Sequence, residues 1–255
     1  YKNEVTALPD GDKPVYTSLY GGEVVTQVGG PVGLFYGYKT QGVFSTSEDA
    51  AFAGLRDGRA DGDVFRGGDM HFADLVADGV IDEKDKTVIG DPNPDIFGNF
   101  GTSLHYKNWT LNAFFSYSLG NDIYNYQRAV LEGGSTYYNQ TTAVLNRWTS
   151  EGQVTEIPRA ELGDPMGNSR FSDRWIEDGS YLKLKTLSLS YRIPFNYTFL
   201  QGITVWAAAN NVFTCTKYLG SDPELSISSS AVGQGIDRGL LGRGRSFVLG
   251  VKINL

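Results

Sequence analysis

SFVLGVKINL, the stretch from Ser246 to Leu255, decides the fold predicted for this chain. Successive side chains of a β-strand point to opposite faces, so one face of this segment is apolar and carries Phe247, Leu249, Val251, Ile253 and Leu255. Alternation that runs to the last residue is typical of the final strand of a transmembrane β-barrel, which pairs with the first strand and leaves no edge in lipid. On this segment alone, the C-terminal strand of a soluble sandwich is an open alternative.

Composition narrows the class of protein. Hydrophobic residues make up 40% of the 255 residues, and none of their runs reaches the ~18 residues of a membrane helix. The 32 glycines, 15 tyrosines and 14 phenylalanines suit turns and the aromatic girdles of a barrel. A net charge of −7 argues against nucleic acid as a partner. The single cysteine, Cys215, permits no internal disulfide.

Period-two alternation predicts six strands, which are about Val32–Ser45, Ile96–Tyr106, Trp109–Leu119, Tyr181–Ile193, Ile203–Asn211 and about Arg245–Leu255. Two connections are short, namely Lys107-Asn108 and about nine residues from Pro194. Three are long, namely Thr46–Asp95, Gly120–Ser180 and Val212–Gly244. Short turns at one end and long loops at the other are typical of outer-membrane barrels, in which the long loops are extracellular.

The predicted fold is therefore an all-β, antiparallel transmembrane barrel with long extracellular loops. Six strands are too few to close such a barrel, because the smallest outer-membrane barrels have about eight. The sequence opens on polar residues from Tyr1 without a signal peptide, although an outer-membrane protein must be exported. We therefore expect residues 1–255 to be a fragment of a longer barrel protein.

The fourth strand changes phase. Leu182 and Leu184 alternate with lysines, and the apolar positions then move to Leu187 and Leu189. A shift by one residue requires a bulge or a change of surroundings. We expect Lys183 and Lys185 to stand above the membrane, with a bulge inside the hydrocarbon zone as the alternative.

An acidic loop between Asp57 and Asp95 carries eleven carboxylates. Read as a twelve-residue calcium loop, it places Gly79 at the sharp turn and offers as ligands the side chains of Asp74, Asp78, Asp82 and Asp85 and the carbonyl of Val80. Position three is Val76, which has no side-chain oxygen. The loop is therefore a predicted Ca²⁺ site with one ligand missing, and an ordinary acidic loop held by Asx turns is the alternative.

The sequence offers little indication of a catalytic site. The two histidines are His71 and His105. No local acid accompanies His105, and a nucleophilic triad needs a base within hydrogen-bond reach of a hydroxyl. We expect His105 to face a lumen and the protein not to be an enzyme. Aromatic loop residues that could stack on sugar rings, or simply pack a loop, are Tyr137, Tyr138, Trp148 and Trp175.

Several motifs, in order along the chain, resemble the SusC/RagA-type TonB-dependent outer-membrane transporters of Bacteroidetes. They are GPVGLFYGY at Gly30–Tyr38, the acidic run Gly68–Asp95, NDIYN at Asn121–Asn125, DGSYLKL at Asp178–Leu184, and NNVFT at Asn210–Thr214 followed by Asp222-Pro223-Glu224. The family's acidic loop usually reads D-x-N-G-D-G, and here Val76-Ala77 departs from it. Together the motifs cover the sequence from about Gly30 onward.

The resemblance implies that residues 1–255 are the C-terminal part of a 22-stranded plugged barrel, with the plug domain absent from this sequence. It also implies import of large nutrients, oligosaccharides or peptides, through the outer membrane. The implied partners are a SusD-like surface lipoprotein, the TonB complex, the rest of the barrel and outer-membrane lipids. An outer-membrane barrel enzyme and a soluble glycan-binding β-sandwich are the alternatives. The cargo cannot be read from these residues.

Overall fold

The computed structural model describes residues 3–9, 11–59, 63–194, 202–228 and 230–254. Leu255 and most of the predicted link after Pro194 lie outside these residues. The chain divides into two compact units. The sheet unit comprises Pro94–Asn121, Asp178–Leu225 and Leu240–Leu255, and the loop unit comprises Tyr1–Asn93, Asp122–Glu177 and Ser226–Gly239.

The strands of the sheet unit are β9 (Ile96–Tyr106), β10 (Trp109–Leu119), β13 (Tyr181–Ile193), β14 (Gly202–Thr216) and β16 (Ser246–Asn254). They form one antiparallel sheet in the order β16-β14-β13-β10-β9. Three of the predicted strands have the predicted ends, and β14 is longer than predicted because it continues beyond Asn211. β9 and β10 are joined by the predicted two-residue turn, in which Lys107 adopts a left-handed conformation with φ 52°.

The phase change in β13 is a bulge. Leu184 pairs with Phe115 and Thr186 pairs with Phe114, so Lys185 is the extra residue on this strand. The pairing of β13 with β14 is also irregular between Leu184 and Thr186. An extra residue keeps Lys185 out of the regular alternation and allows Leu187 to resume the apolar face.

Cross-strand pairing gives this sheet one apolar and one polar face. Residues paired across strands share a face, and one apolar row consists of Leu104, Leu111, Leu189, Ala207 and Leu249. The apolar face is open rather than packed: Phe247 is 80% exposed and Leu249 is 84% exposed. The neighbouring row, on the opposite face, consists of Ser103, Asn112, Ser188, Ala208 and Val248, and it is polar on β9, β10 and β13.

The loop unit contains short strands, which are β1 (Val15–Leu19), β2 (Gly22–Thr26), β3 (Leu34–Gly37), β4 (Thr40–Val43), β5 (Arg56–Asp57), β6 (Met70–Phe72), β7 (Val80–Ile81), β8 (Thr87–Gly90), β11 (Asp122–Asn125), β12 (Ile176–Asp178, whose last residue is grouped with the sheet unit) and β15 (Ile236–Asp237). They form small sheets in the orders β1-β2-β3-β8, β12-β11-β15, β4-β6 and β5-β7.

The prediction of one wall strand over Val32–Ser45 was wrong. The segment contains two short strands, and β3 pairs with β2 and β8 whereas β4 pairs with β6. Gly42 within β4 adopts φ 101°, and the pairing of β4 with β6 is irregular between Thr40 and Val43. Burial along β3 does not alternate, since Leu34, Phe35 and Gly37 are all buried, so the sequence pattern of this segment did not indicate membership of the five-stranded sheet.

Helices in the described part of the chain are short. The α-helices are α1 (Ser47–Ala53) and α2 (Tyr126–Glu132), and 3₁₀ turns occur at Glu83–Asp85, Thr142–Asn146, Asp173–Trp175 and Ala231–Gly233. Thr46 caps α1 by accepting a hydrogen bond from the Asp49 amide, and Gly54 ends it in the left-handed conformation. None of these helices has the length and apolar character needed to cross a membrane.

The three long connections contribute to a folded unit with its own core. One hydrophobic cluster consists of Tyr38, Phe44, Ala50, Leu55, Phe65, Met70, Phe72, Ile81 and Met166. A second consists of Val24, Phe35, Tyr124, Trp175 and Ile236. Each cluster draws residues from distant parts of the sequence, so burial of these apolar side chains holds the connections together.

Candidate functional site

Hydrogen-bonded side chains line the polar face of the sheet near the β9–β10 turn. His105 contacts the Thr110 hydroxyl through Nδ1 at 2.9 Å and the Ser103 hydroxyl through Nε2 at 3.1 Å. Ser103 donates to the amide oxygen of Asn112 at 2.7 Å, and Asn112 donates to Ser188 at 3.3 Å. This polar ladder crosses β9, β10 and β13, and its side chains are largely exposed.

The polar ladder does bring a serine and a histidine together, as the enzyme alternative requires. The Ser103 proton, however, is donated to Asn112 rather than to the imidazole. The other ring nitrogen meets the Thr110 hydroxyl, where a triad would place a carboxylate. The arrangement is that of an exposed polar wall, which can hold water or a polar ligand.

A cluster of charged groups lies at the other end of the same face. Lys183 Nζ lies 2.7 Å from Asp222 and 2.8 Å from Glu224, and Lys185 Nζ lies 2.5 Å from Glu224. Glu224 also accepts hydrogen bonds from Tyr181 at 3.1 Å and from Ser116 at 3.5 Å. We call these six residues the lysine–carboxylate cluster.

Burial makes this cluster different from a surface ion pair. The Lys183 side chain is only 2% exposed. Burial acts to raise the pKa of Glu224, but hydrogen bonds from Lys183 and Lys185 outweigh it and hold the pKa below its ordinary value. The sequence pattern predicts that the two lysines lie on one strand face. It does not predict that Asp222 and Glu224, which belong to a motif shared with the family, pair with them. Two neighbouring lysines on one strand face were the signal that could have found them.

Two carboxylates of the acidic loop accept hydrogen bonds from the loop's own backbone amides. Asp74 accepts hydrogen bonds from the amides of Ala77 at 2.6 Å and Gly79 at 2.8 Å. Asp85 accepts from Leu75 at 2.8 Å, Val76 at 3.2 Å and Asp82 at 2.9 Å. These two carboxylates therefore satisfy five amides of the turn, which is the role of Asx-type capping.

The other predicted ligands are also engaged. Asp82 accepts from the Lys84 amide and Asp78 from the Val80 amide, and Lys84 Nζ lies 3.4 Å from each of these carboxylates. Within the described residues, no three carboxylate, histidine or cysteine side chains form a group that could hold a metal ion. Calcium binding by Asp74, Asp78, Val80, Asp82 and Asp85 stays a prediction, and a calorimetric titration without heat at millimolar Ca²⁺ would end it.

The four aromatic residues suggested for sugar stacking have different surroundings. Tyr137 is 90% exposed and Tyr138 is also exposed, so both are accessible to a ligand. Trp148 is half-buried and donates its indole N–H to the Ser45 carbonyl at 3.0 Å. Trp175 is fully buried and packs in the loop unit, with its indole N–H bonded to the Arg170 carbonyl at 3.1 Å.

Two guanidinium groups lie over the Trp175 ring, Arg174 at 4.3 Å and Arg128 at 5.3 Å from its centroid. Burial, with a smaller contribution from Arg128, lowers the pKa of Arg174 to about 10. Arg128 is paired with Glu177 at 2.6 Å. Trp175 is thus a structural side chain of the core and is unavailable for stacking on a sugar.

Comparison with known proteins identifies relatives for nearly the whole chain. TonB-dependent receptor P3 of Formosa agariphila is 34% identical over 267 aligned residues, which cover 99% of this chain and 25% of the relative. TonB-dependent receptor SusC of Bacteroides thetaiotaomicron is 28% identical over 71% of this chain and 17% of its own length. No family model matches. The chain spans about a quarter of the length of the first of these curated relatives.

Solved structures agree in fold. The RagAB peptide transporter matches with a TM-score of 0.76 at 24% identity, covering 99% of this chain and 26% of that one. The RagAB peptide importer in its open-open state matches with a TM-score of 0.71 at 22% identity over 99% of this chain and 25% of that one. The shared fold and the sequence identity over nearly all residues show that this chain belongs to the SusC/RagA-type family of TonB-dependent receptors.

Proposed function

We propose that this chain is part of the wall and the outer loops of an outer-membrane importer of large nutrients, either oligosaccharides or peptides. The observation that carries the proposal is the two-faced sheet: a hydrogen-bonded polar face opposite an apolar face that is exposed to its surroundings. In a barrel of this kind, lipid covers the apolar face and the polar face lines the lumen.

An aromatic row supports the orientation of these strands. Tyr106, Trp109 and Tyr191 lie side by side on the apolar face near the β9–β10 turn, and the Trp109 and Tyr191 rings are 4.6 Å apart. Lys107 of the turn lies 5.4 Å from the Tyr106 ring. Aromatic rings and a cation at one level are typical of a membrane interface, and the two-residue length of the turn favours the periplasmic side.

The partners follow from the relatives. The resemblance to SusC/RagA-type receptors implies a SusD-like lipoprotein and the TonB complex as partners, and we propose both for the whole receptor. The similar RagAB structures are those of a peptide importer, and the exposed rings of Tyr137 and Tyr138 suit a sugar or a peptide side chain equally. The proposed cargo is therefore a large oligosaccharide or peptide.

The experiment uses the full-length receptor in its native cell. Membrane fractionation should recover it in the outer membrane, and extraction should require detergent. Uptake of fluorescent oligosaccharides and peptides should fall when the receptor gene is deleted and recover on complementation. An uncoupler that removes the energy supply of TonB should abolish the same uptake. A water-soluble, monodisperse receptor without detergent would overturn the proposal and favour a soluble β-sandwich.

A further inference from the structure

The segment after β14 folds back over the polar face of the sheet. Glu224 bonds to Ser116 on β10 and to Tyr181, Lys183 and Lys185 on β13, so its carboxylate bridges two adjacent strands. Asp222 adds a second anchor on Lys183 at 2.7 Å. We call residues Tyr218–Leu225 the strap.

The bulge in β13 lets two lysines reach one carboxylate without moving polar residues onto the apolar face of the strand. Lys183 is paired with Ser116 on the polar face, and Lys185 is the extra residue of the bulge. Without the bulge, regular alternation would place Thr186, Ser188 and Ser190 on the apolar face if both lysines stayed on the polar one. The bulge therefore reconciles a double-lysine anchor with a continuous apolar face below it.

Side chains of the sheet that bind the strap are buried beneath it. Ser116, Ser118, Lys183, Asp222 and Tyr218 are all buried. Near the β9–β10 turn, by contrast, the polar ladder on the same face is exposed. The strap thus closes one end of the polar face and leaves the other end open.

Inside the strap, the backbone is organised around Asp222. The amide of Glu224 donates to the Asp222 carboxylate at 3.1 Å, and the amide of Leu225 donates to the Asp222 carbonyl at 3.2 Å. The side chain that anchors the strap to Lys183 also shapes the turn. Loss of the ionic anchor should therefore loosen these two amides together.

We propose that the strap is a conformational device, held closed on the polar face by the pairing of Lys183 and Lys185 with Asp222 and Glu224, and released when this pairing is broken. The two positive and two negative charges balance, so loss of Glu224 leaves Lys183 with Asp222 alone and removes the carboxylate that pairs with Lys185. In the barrel of the proposed function, on which this step rests, the polar face lines the lumen. The strap then restricts the passage from inside the wall.

The experiment is hydrogen exchange on the detergent-solubilised full-length receptor. Glu224→Gln keeps the shape of the side chain but removes its charge, and should raise exchange at the amides of Glu224 and Leu225 about tenfold or more. Exchange in the β9–β10 hairpin should stay unchanged. Lys84→Met is the matched control, because Lys84 pairs with two carboxylates at an exposed site. It should leave strap exchange at the wild-type rate.

Lys185→Met is the second variant, should Glu224→Gln fail to fold. It removes one lysine from Glu224 and retains the buried Lys183–Asp222 pair, so a smaller rise confined to the strap is expected. Strap exchange within twofold of the wild-type rate in both folded variants would overturn the proposal. Uptake by the wild-type receptor tests the proposed function separately, because exchange of the strap does not depend on transport.

Discussion

The sheet unit and the loop unit use apolar side chains in opposite ways. In the sheet unit, Phe247 and Leu249 lie on an exposed face, and the alternation of the strands is visible in the sequence. In the loop unit, Phe72 and Trp175 are fully buried in clusters built from distant segments. Period-two patterning therefore indicates clearly when the two faces of a strand have different surroundings, whereas a core assembled from loops leaves little periodic signal in the sequence.

The largest expected effect comes from matched phenylalanine truncations in the two units. Phe72→Ala should destabilise the loop unit by about 3–5 kcal/mol, because it leaves a cavity in a closely packed cluster. Phe247→Ala should leave the loop unit at wild-type stability. Limited proteolysis and hydrogen exchange of the loop segments measure the stability of the loop unit in each variant. Equal protection of these segments in the two variants would contradict the different roles of the two phenylalanines.

The next effect tests which face of the sheet meets lipid. Leu249→Arg should cost about 2–4 kcal/mol of stability in a bilayer if the residue lies near the midplane. Val248→Arg, one residue away on the polar face, should cost much less. Urea-induced unfolding from lipid vesicles measures the two free energies. A larger loss for Val248→Arg would reverse the assignment of the faces.

A smaller effect concerns the acidic loop. Asp85→Ala removes the acceptor of three backbone amides and should destabilise the loop by about 1–3 kcal/mol. Glu83→Ala, an exposed carboxylate in the same turn, is the control and should be near neutral. Exchange at the amides of Leu75 and Val76 reports the loss, and unchanged protection in Asp85→Ala would contradict the capping role.

The smallest effect is a pH dependence at His71, which stacks on Phe44 with ring centroids 4.3 Å apart. Burial lowers the pKa of His71 below its ordinary value of 6.5, so the unfolded chain binds this proton more readily. Its contribution to stability is complete above about pH 6.5 and is lost as the pH falls through the lowered pKa. The free energy of unfolding, measured between pH 7.5 and 5, should fall as the pH falls, and His71→Gln should make this dependence on pH weaker. An equal dependence in the variant would exclude His71 as its source.

Much of the sheet could be predicted because each strand shows its surroundings on every second residue. The ends of β9, β10 and β13 follow directly from alternation. Val32–Ser45 misled the prediction because the apolar residues of two short strands, whose burial in the loop unit does not alternate, were read as one strand. The candidate site was predicted in part: the histidine and the lysines were placed, but the carboxylates of Asp222 and Glu224 lie about forty residues away from them.

Sequence alone determined the two-faced strands, the two-residue turn, the phase change at Lys185 and, through its ordered motifs, the family. The first three of these properties are local, since they depend on neighbours one or two residues apart, and the family depends on the order of short motifs along the chain. Only the tertiary structure decided that the phase change is a bulge, that the long connections share a core, and that the strap meets its lysines. Those outcomes depend on contacts between residues far apart in the chain, where burial and charge pairing select one arrangement among many.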